Sequence, residues 1–274
     1  VRLADVVLPP AQFGAMQRAK QIARGFTWRL THPGRTHACP FCQREFGQFI
    51  PYVNRFPIAV TADIISGQSI SFFKCPYCQS RDRERGLYFY IRKQLSLRGK
   101  RILHVAPERA LHDLIAASGC LDYVCGDINP KAYYSTSRAI HRIDLLSIDF
   151  PDGSFDFAIC NHILEHIADD RTAMSELFRV LKPQGSAIVQ VPIGAKLETT
   201  YEDPRMRTAD ERSRAFGQDT HVRIYAEADY LERLRSVGFE TRADSIPISP
   251  ADFARYGIDP REKVYLALKP TERS

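Results

Sequence analysis

Asp152-Gly153-Ser154-Phe155-Asp156-Phe157-Ala158-Ile159-Cys160-Asn161-His162-Ile163-Leu164-Glu165-His166 is the stretch that decides how this chain folds. Pro151, Asp152 and Gly153 supply a turn, because proline presets φ and glycine accepts backbone that other residues avoid. Phe155–Cys160 then reads as a strand that ends at Asn161-His162. Beyond it, a helix predicted over 169–181 leads through Leu181-Lys182-Pro183-Gln184-Gly185 to a further strand at 186–191.

The same alternation extends to both sides. Upstream come strands at 101–105, 122–126 and 139–143, with a helix at 108–118 after the first. Downstream come a long polar insertion at 194–225, a helix at 226–237, and strands at 239–245 and 263–268. Strands separated by helices at this spacing predict an α/β fold with a parallel, doubly wound, seven-stranded Rossmann-like sheet. A helix at 81–97 precedes it, with Ser80 as N-cap, Leu87, Ile91 and Leu95 on one face, and Gly99 closing it. Between Pro10 and Leu30, Phe13, Met16, Ile22, Phe26 and Leu30 recur at near-helical spacing among Arg18, Lys20, Arg24 and Arg29. This predicts an amphipathic basic arm, packed on the main domain with its cations in solvent; a lid or an RNA-binding arm is the alternative.

Cys39-Pro40-Phe41-Cys42 and Cys75-Pro76-Tyr77-Cys78 are paired knuckles that together offer four thiolates for tetrahedral zinc. The span between them, 43–74, is longer than the roughly 15–20 residues of the commonest spacing. It is therefore expected to carry strands of its own, with Phe46, Phe49, Tyr52, Phe72 and Phe73 as a miniature core. Four sulfur ligands leave no open position, so the predicted zinc is structural. The expected domains are a basic arm at 1–38, a zinc ribbon at 39–80, and the α/β domain at 81–274 with its insertion at 194–225.

The chain has 274 residues, 44% of them hydrophobic, enough for one large core and a smaller appendage. Seven cysteines, an odd number, argue against a disulfide framework. No apolar run approaches the roughly 20 residues of a membrane span, and no signal layout is visible at the N-terminus. A soluble, cytoplasmic protein is expected. The net charge of +6 permits a polyanionic partner, but the cations are scattered.

The run D-G-S-F-D-x-x-x-x-N-H-x-L-E-H-I at 152–167, followed by E-L-x-R-V-L-K-P-x-G at 176–185, resembles the type 11 class I methyltransferases over roughly residues 100–193. The whole chain is also similar to a narrower bacterial group. Its marks are the paired C-P-x-C motifs, Ser80/Arg83/Arg85 after the second, the Leu103–Glu108 loop, and F-G-Q-x-x-H-V-R-x-Y at 216–225. The resemblance implies S-adenosyl-L-methionine (SAM) as methyl donor, resting across the carboxyl ends of the first, second and fourth strands. In type 11 enzymes the first strand usually runs into a glycine-rich loop. Here the loop is His104-Val105-Ala106-Pro107-Glu108, without glycine, as is usual in the narrower group.

The expected cofactor residues are His104, Ala106, Pro107, Glu108, Asp127, Ile128, Asp144, Leu145, Asn161 and His162. Glu108 is expected at the ammonium group. Asp127, about 20 residues past the first turn, is expected at the ribose hydroxyls, and Asp144 at the adenine. The insertion is expected to act as a lid whose Tyr201, Phe216, Gln218, His221, Arg223 and Tyr225 bind the acceptor. His221 is the expected general base, Arg223 an anchor for an anionic group, and His162 a further catalytic candidate; pinning the lid by hydrogen bonds is the alternative role for His221 and Arg223. The expected activity is methyl transfer to an oxygen or nitrogen of a small metabolite or sugar. An rRNA or tRNA methyltransferase and a non-catalytic SAM-fold module are the alternatives, and the oligomeric state stays open.

Overall fold

The computed structural model describes residues 20, 23–51, 56–66, 73–133 and 139–271. It opens with helix α1 (23–31), short strands β1 (His37–Ala38) and β2 (Glu45–Phe46), the helical turn α2 (Ile58–Thr61), and β3 (Ile64–Ile65). Helix α3 (Asp82–Gln94) leads into β4 (Arg101–Val105), α4 (Arg109–Ala116), β5 (Asp122–Asp127), β6 (Ile140–Arg142), β7 (Phe155–Cys160), α5 (Asp170–Val180) and β8 (Leu181–Ile188). The insertion holds β9 (Ile193–Gly194), β10 (Tyr201–Glu202), α6 (Ala209–Phe216) and β11 (Arg223–Ile224). Helix α7 (Glu227–Ser236), β12 (Glu240–Ser245), α8 (Pro250–Tyr256) and β13 (Lys263–Leu268) follow.

Seven strands form the central sheet in the order β12-β13-β8-β7-β4-β5-β6. All neighbours are parallel except that β13 runs against both β12 and β8. Successive strand residues feed opposite cores, as the two-residue period of a strand requires. Leu103, Ala158, Cys160 and Ala187 pack with Met174 and Leu177 of α5 and Leu234 of α7. Ile102, Phe157, Ile159 and Ile188 pack with Leu87 and Ile91 of α3 and Leu111 and Ile115 of α4. Helices therefore cover both faces, as expected of a doubly wound α/β fold, whereas the antiparallel β13 departs from the all-parallel sheet that the strand spacing predicts.

Several boundaries differ from the sequence expectation. Helix α3 takes Arg81, not Ser80, as its cap, because the Ser80 hydroxyl lies 3.2 Å from Cys39 Sγ and 3.3 Å from Cys78 Sγ. Strand β8 begins at Leu181, where it pairs with Phe155 before a register shift. Helices α6 and α8 were not anticipated. Most of the N-terminal arm lies outside the described residues. Its C-terminal turns, α1, rest on the cysteine module rather than on the sheet domain: Trp28 Nε1 donates to the Gln48 carbonyl and Arg29 to that of Pro76. Phe26 and Leu30, expected on the buried face, are exposed.

Within the span 43–74, Phe46 and Phe49 pack edge to face beside Cys39 and Cys75; Tyr52 and Phe72 lie outside the described residues. Strand β3 from this span pairs with β9 from the insertion, so the two segments are stitched together. Among the described residues, no helix is long and apolar enough to cross a membrane.

Candidate functional site

From β4 the chain continues outward to β5 and β6 on one side, then crosses back to β7 and β8 on the other. This reversal opens a crevice at the carboxyl ends of β4 and β7, where ligands of open parallel sheets bind. A cavity of about 1040 Å³ lies there. Its floor is Ala106, Pro107 and Glu108 after β4 and Asn161 and His162 after β7; its roof is Cys78 to Arg81, Arg83 and Glu84 from the second knuckle and α3.

The glycine-free loop makes its turn on Ala106, whose φ is +48°. Ala106 N donates to the Gly126 carbonyl at 2.7 Å, holding the conformation that glycine would otherwise supply. His104 is fully buried beneath the loop and does not line the cavity. It links Tyr123 Oη, 2.8 Å from Nδ1, to Glu108 Oε2, 3.1 Å from Nε2. Burial works against the charge on Glu108, but the His104 contact and the Arg83 cation outweigh it, so its carboxyl lies below the ordinary range. The other oxygen, Oε1, is buried without a hydrogen-bond partner. Across the crevice, Asn161 is 3% exposed, and both its amide oxygen and its amide nitrogen also lack partners.

The remaining expected cofactor positions lie farther out. Asp127 accepts from Asn129 N at 2.6 Å and Tyr133 Oη at 2.9 Å, and Tyr133, not Asp127, lines the cavity. Ile128 is exposed, Leu145 is in the core, and Asp144 accepts from Leu146 N.

The lid residues are mostly turned to structural contacts. Arg223 is buried and donates to Glu202 and to the carbonyls of Leu164, Ile167 and Ala168. Tyr225 donates to Asp170 at 2.7 Å, Phe216 is buried against Tyr201, and Gln218 donates to Thr220. His221 is 3% exposed, and burial, followed by His166, lowers its imidazole to about 3. Neither His221 nor Arg223 is among the residues lining the cavity. His162 is on the wall, with Nε2 3.2 Å from Ser66 Oγ and Nδ1 3.4 Å from Glu165 Oε1.

Two further residues define the site. Arg83 lines the cavity and its buried Nε has no partner. Glu165, 1% exposed, has neither carboxylate oxygen hydrogen-bonded, and burial raises its carboxyl to about 8. Glu165 is not among the residues expected from the sequence, although the spacing His162-x-x-Glu165-His166 is a local signal for it. Arg85 covers the cysteine module's flank, donating to the carbonyls of Ser80, Tyr256 and Gly257.

The four cysteine sulfurs lie within 4.8 Å of one another. Cys39 and Cys78 are 3.5 Å apart, and Cys42 and Cys75 3.8 Å. A tetrahedron of Zn–S bonds of about 2.3 Å separates its sulfurs by about 3.8 Å, so the cluster fits that ion.

Residues 106–189, from the Ala106 turn to just past β8, match the family model of a methyltransferase domain. A demethylmenaquinone methyltransferase of Corynebacterium glutamicum is 27% identical over 141 residues, 49% of this chain and 61% of the relative. One of Streptomyces avermitilis is 29% identical over 108 residues, 35% of this chain and 47% of the relative. The chain thus spans only about half to three-fifths of the length of these curated relatives. Among solved structures, an S-adenosylmethionine dependent methyltransferase from Mesorhizobium loti aligns with 67% of this chain and 96% of its own, at 17% identity and a TM-score of 0.47.

Proposed function

We propose that the chain is an SAM-dependent methyltransferase acting on an oxygen or nitrogen of a small-molecule acceptor. The observation that carries this reading is the pair of buried, unpartnered polar groups facing the crevice: Glu108 Oε1 and the Asn161 amide. Such orphans are costly, roughly 1–3 kcal/mol each, unless a ligand satisfies them. Both lie within the matched methyltransferase domain. An anionic carboxylate on one wall and an amide on the other suit a cofactor bearing an ammonium group and polar nucleoside edges. The relatives, named for demethylmenaquinone, support a small acceptor.

SAM supplies, when bound, a methyl group activated on a sulfonium. The chain's part is to hold donor and acceptor in line and keep water out. Glu108, fixed by His104, receives the amino-acid end, and Asn161 orients the part of the donor nearest β7. Asp127 and Tyr133 stand at the end of β5, where the ribose would lie. His162 stands on the acceptor wall, where burial and then the Arg83 and Arg81 cations hold its imidazole well below its ordinary value, so it is neutral and positions the acceptor by hydrogen bonding. Arg223 acts by pinning the lid, which is the role its hydrogen bonds support, and the four-sulfur cluster holds zinc as a structural clamp.

Calorimetric titration with SAM tests the reading. The wild-type protein should bind, and Glu108→Gln or Asn161→Ala should weaken affinity by about 10- to 100-fold, the loss of one strong polar contact. Absence of binding heat, or unaltered affinity in both variants, would sink it.

A further inference from the structure

Behind His162, three more metal-ligating groups converge. Glu165 and His166 lie on the turn Leu164–His166 that follows β7, and His221 lies on the loop before β11. Nε2 of His166 and Nε2 of His221 are each 4.0 Å from Glu165 Oε1. The three ligand atoms all fall within 4.8 Å of one another. Bonds of about 2.0–2.2 Å to one ion would set such ligands about 3.4 Å apart, so each histidine needs to close by about half an ångström.

The surroundings hold this cluster in place. Val222 N donates to the Glu165 carbonyl at 2.9 Å, and Arg223 grips the carbonyls of Leu164, Ile167 and Ala168. The His166 and His221 rings meet edge to face, with centroids 4.7 Å apart, which fixes their mutual orientation. The buried Glu165 carboxylate has no hydrogen bond to either oxygen. The adjacent guanidinium of Arg223 is committed to carbonyls and Glu202. A buried carboxyl that makes no hydrogen bond leaves both oxygens free to take a cation in place of its proton.

We propose that Glu165, His166 and His221 bind a divalent transition-metal ion behind the His162 wall of the cleft. Two imidazoles with one carboxylate suit zinc, iron, cobalt or nickel better than magnesium or calcium. Three protein ligands leave coordination positions open, as in catalytic rather than structural sites. His162 stands between the cluster and the cleft: its Nδ1 is 3.4 Å from Glu165 Oε1 and its side chain reaches the cleft wall.

The binding of the ion does not rest on the methyl-transfer reading. Buried behind His162, an ion there would fix Glu165 and, through it, the His162 wall of the cleft.

The test is titration of the metal-stripped, reduced protein with Co²⁺, followed by absorption. A four-sulfur site gives intense sulfur-to-cobalt bands, whereas an imidazole–carboxylate site gives only weak ligand-field bands. Wild-type protein should take up two equivalents, one of each kind. Glu165→Gln and, separately, His221→Gln should weaken the second at least tenfold while keeping the sulfur bands, which with circular dichroism report an intact fold. Uptake of a single, sulfur-type equivalent by the wild type, or a second equivalent unchanged in both variants, overturns the proposal. SAM calorimetry on the same samples separates the two readings: weak-band metal without SAM binding leaves the metal site standing and removes methyl transfer.

Discussion

Ala106 and His162 carry left-handed backbone, at φ +48° and +55°, at the two strand ends that flank the cleft. For a residue with a Cβ that conformation is unfavourable by roughly 1–2 kcal/mol, so the surroundings must impose it. Ala106 N is held by the Gly126 carbonyl and His162 N by that of Gln190, each at 2.7 Å. The loop lacks glycine, yet it uses the smallest side chain at the one position where glycine's freedom is needed. Ala106→Gly should relieve the strain, and the larger entropy of an unfolded glycine should offset part of the gain. The expected net is a stabilisation of up to about 1 kcal/mol, read as a raised midpoint in urea. A midpoint that falls by a comparable amount would show that the methyl group is packed rather than merely tolerated.

The insertion 194–225 is an ordered arm, and its order comes from a few strong contacts. Arg223 joins β11 to the turn after β7 through three carbonyls and reaches Glu202 of β10. Arg223→Met keeps much of the volume but leaves those acceptors buried and unpartnered, at about 3 kcal/mol or more. Hydrogen exchange should then show the 194–225 amides losing protection well before those of β4 and β7; uniform protection as in wild type would contradict the pinning role. The central strands were legible because apolar runs bounded by turns repeat from β4 to β13. Helices α6 and α8 were not read, although their signals are local: Thr208 and Glu211 form a capping box, and Ser249 caps a helix with Pro250 in its first turn. The cap of α3 falls on Arg81 rather than the expected Ser80 because Ser80 is drawn to the sulfurs, a contact that the spacing of residues does not reveal. Glu108 and Asn161 could be placed from strand ends, whereas the meeting of Glu165 with His221 exists only once the insertion has folded back over β7.

Across the whole molecule, the cysteine module and the sheet domain are joined by contacts distant in sequence. β3 pairs with β9, Arg255 meets Glu45, Arg261 meets Asp63, and Arg85 spans from Ser80 to Gly257. Glu262 is buried in this same region, 5% exposed, with Oε1 unpartnered. Burial is the main cause that raises its carboxyl from the ordinary 4.5 to about 8; Asp82 and Asp259 push the same way, while Ser66 and Arg83 oppose them. The folded chain therefore keeps this proton over a range where the unfolded chain has released it. By linkage, stability falls as pH rises from about 4.5 to 8, and the penalty is constant above that range. From that shift the penalty is at most about 5 kcal/mol, at 1.36 kcal/mol per unit. Glu262→Gln mimics the protonated form and removes the titration. Urea unfolding of both proteins should give nearly equal stabilities at pH 5, with the variant the more stable by several kcal/mol at pH 8.5. A gap that does not widen with pH would mean that Glu262 is ionised in the folded chain, compensated by a cation or a water-filled channel reaching the junction.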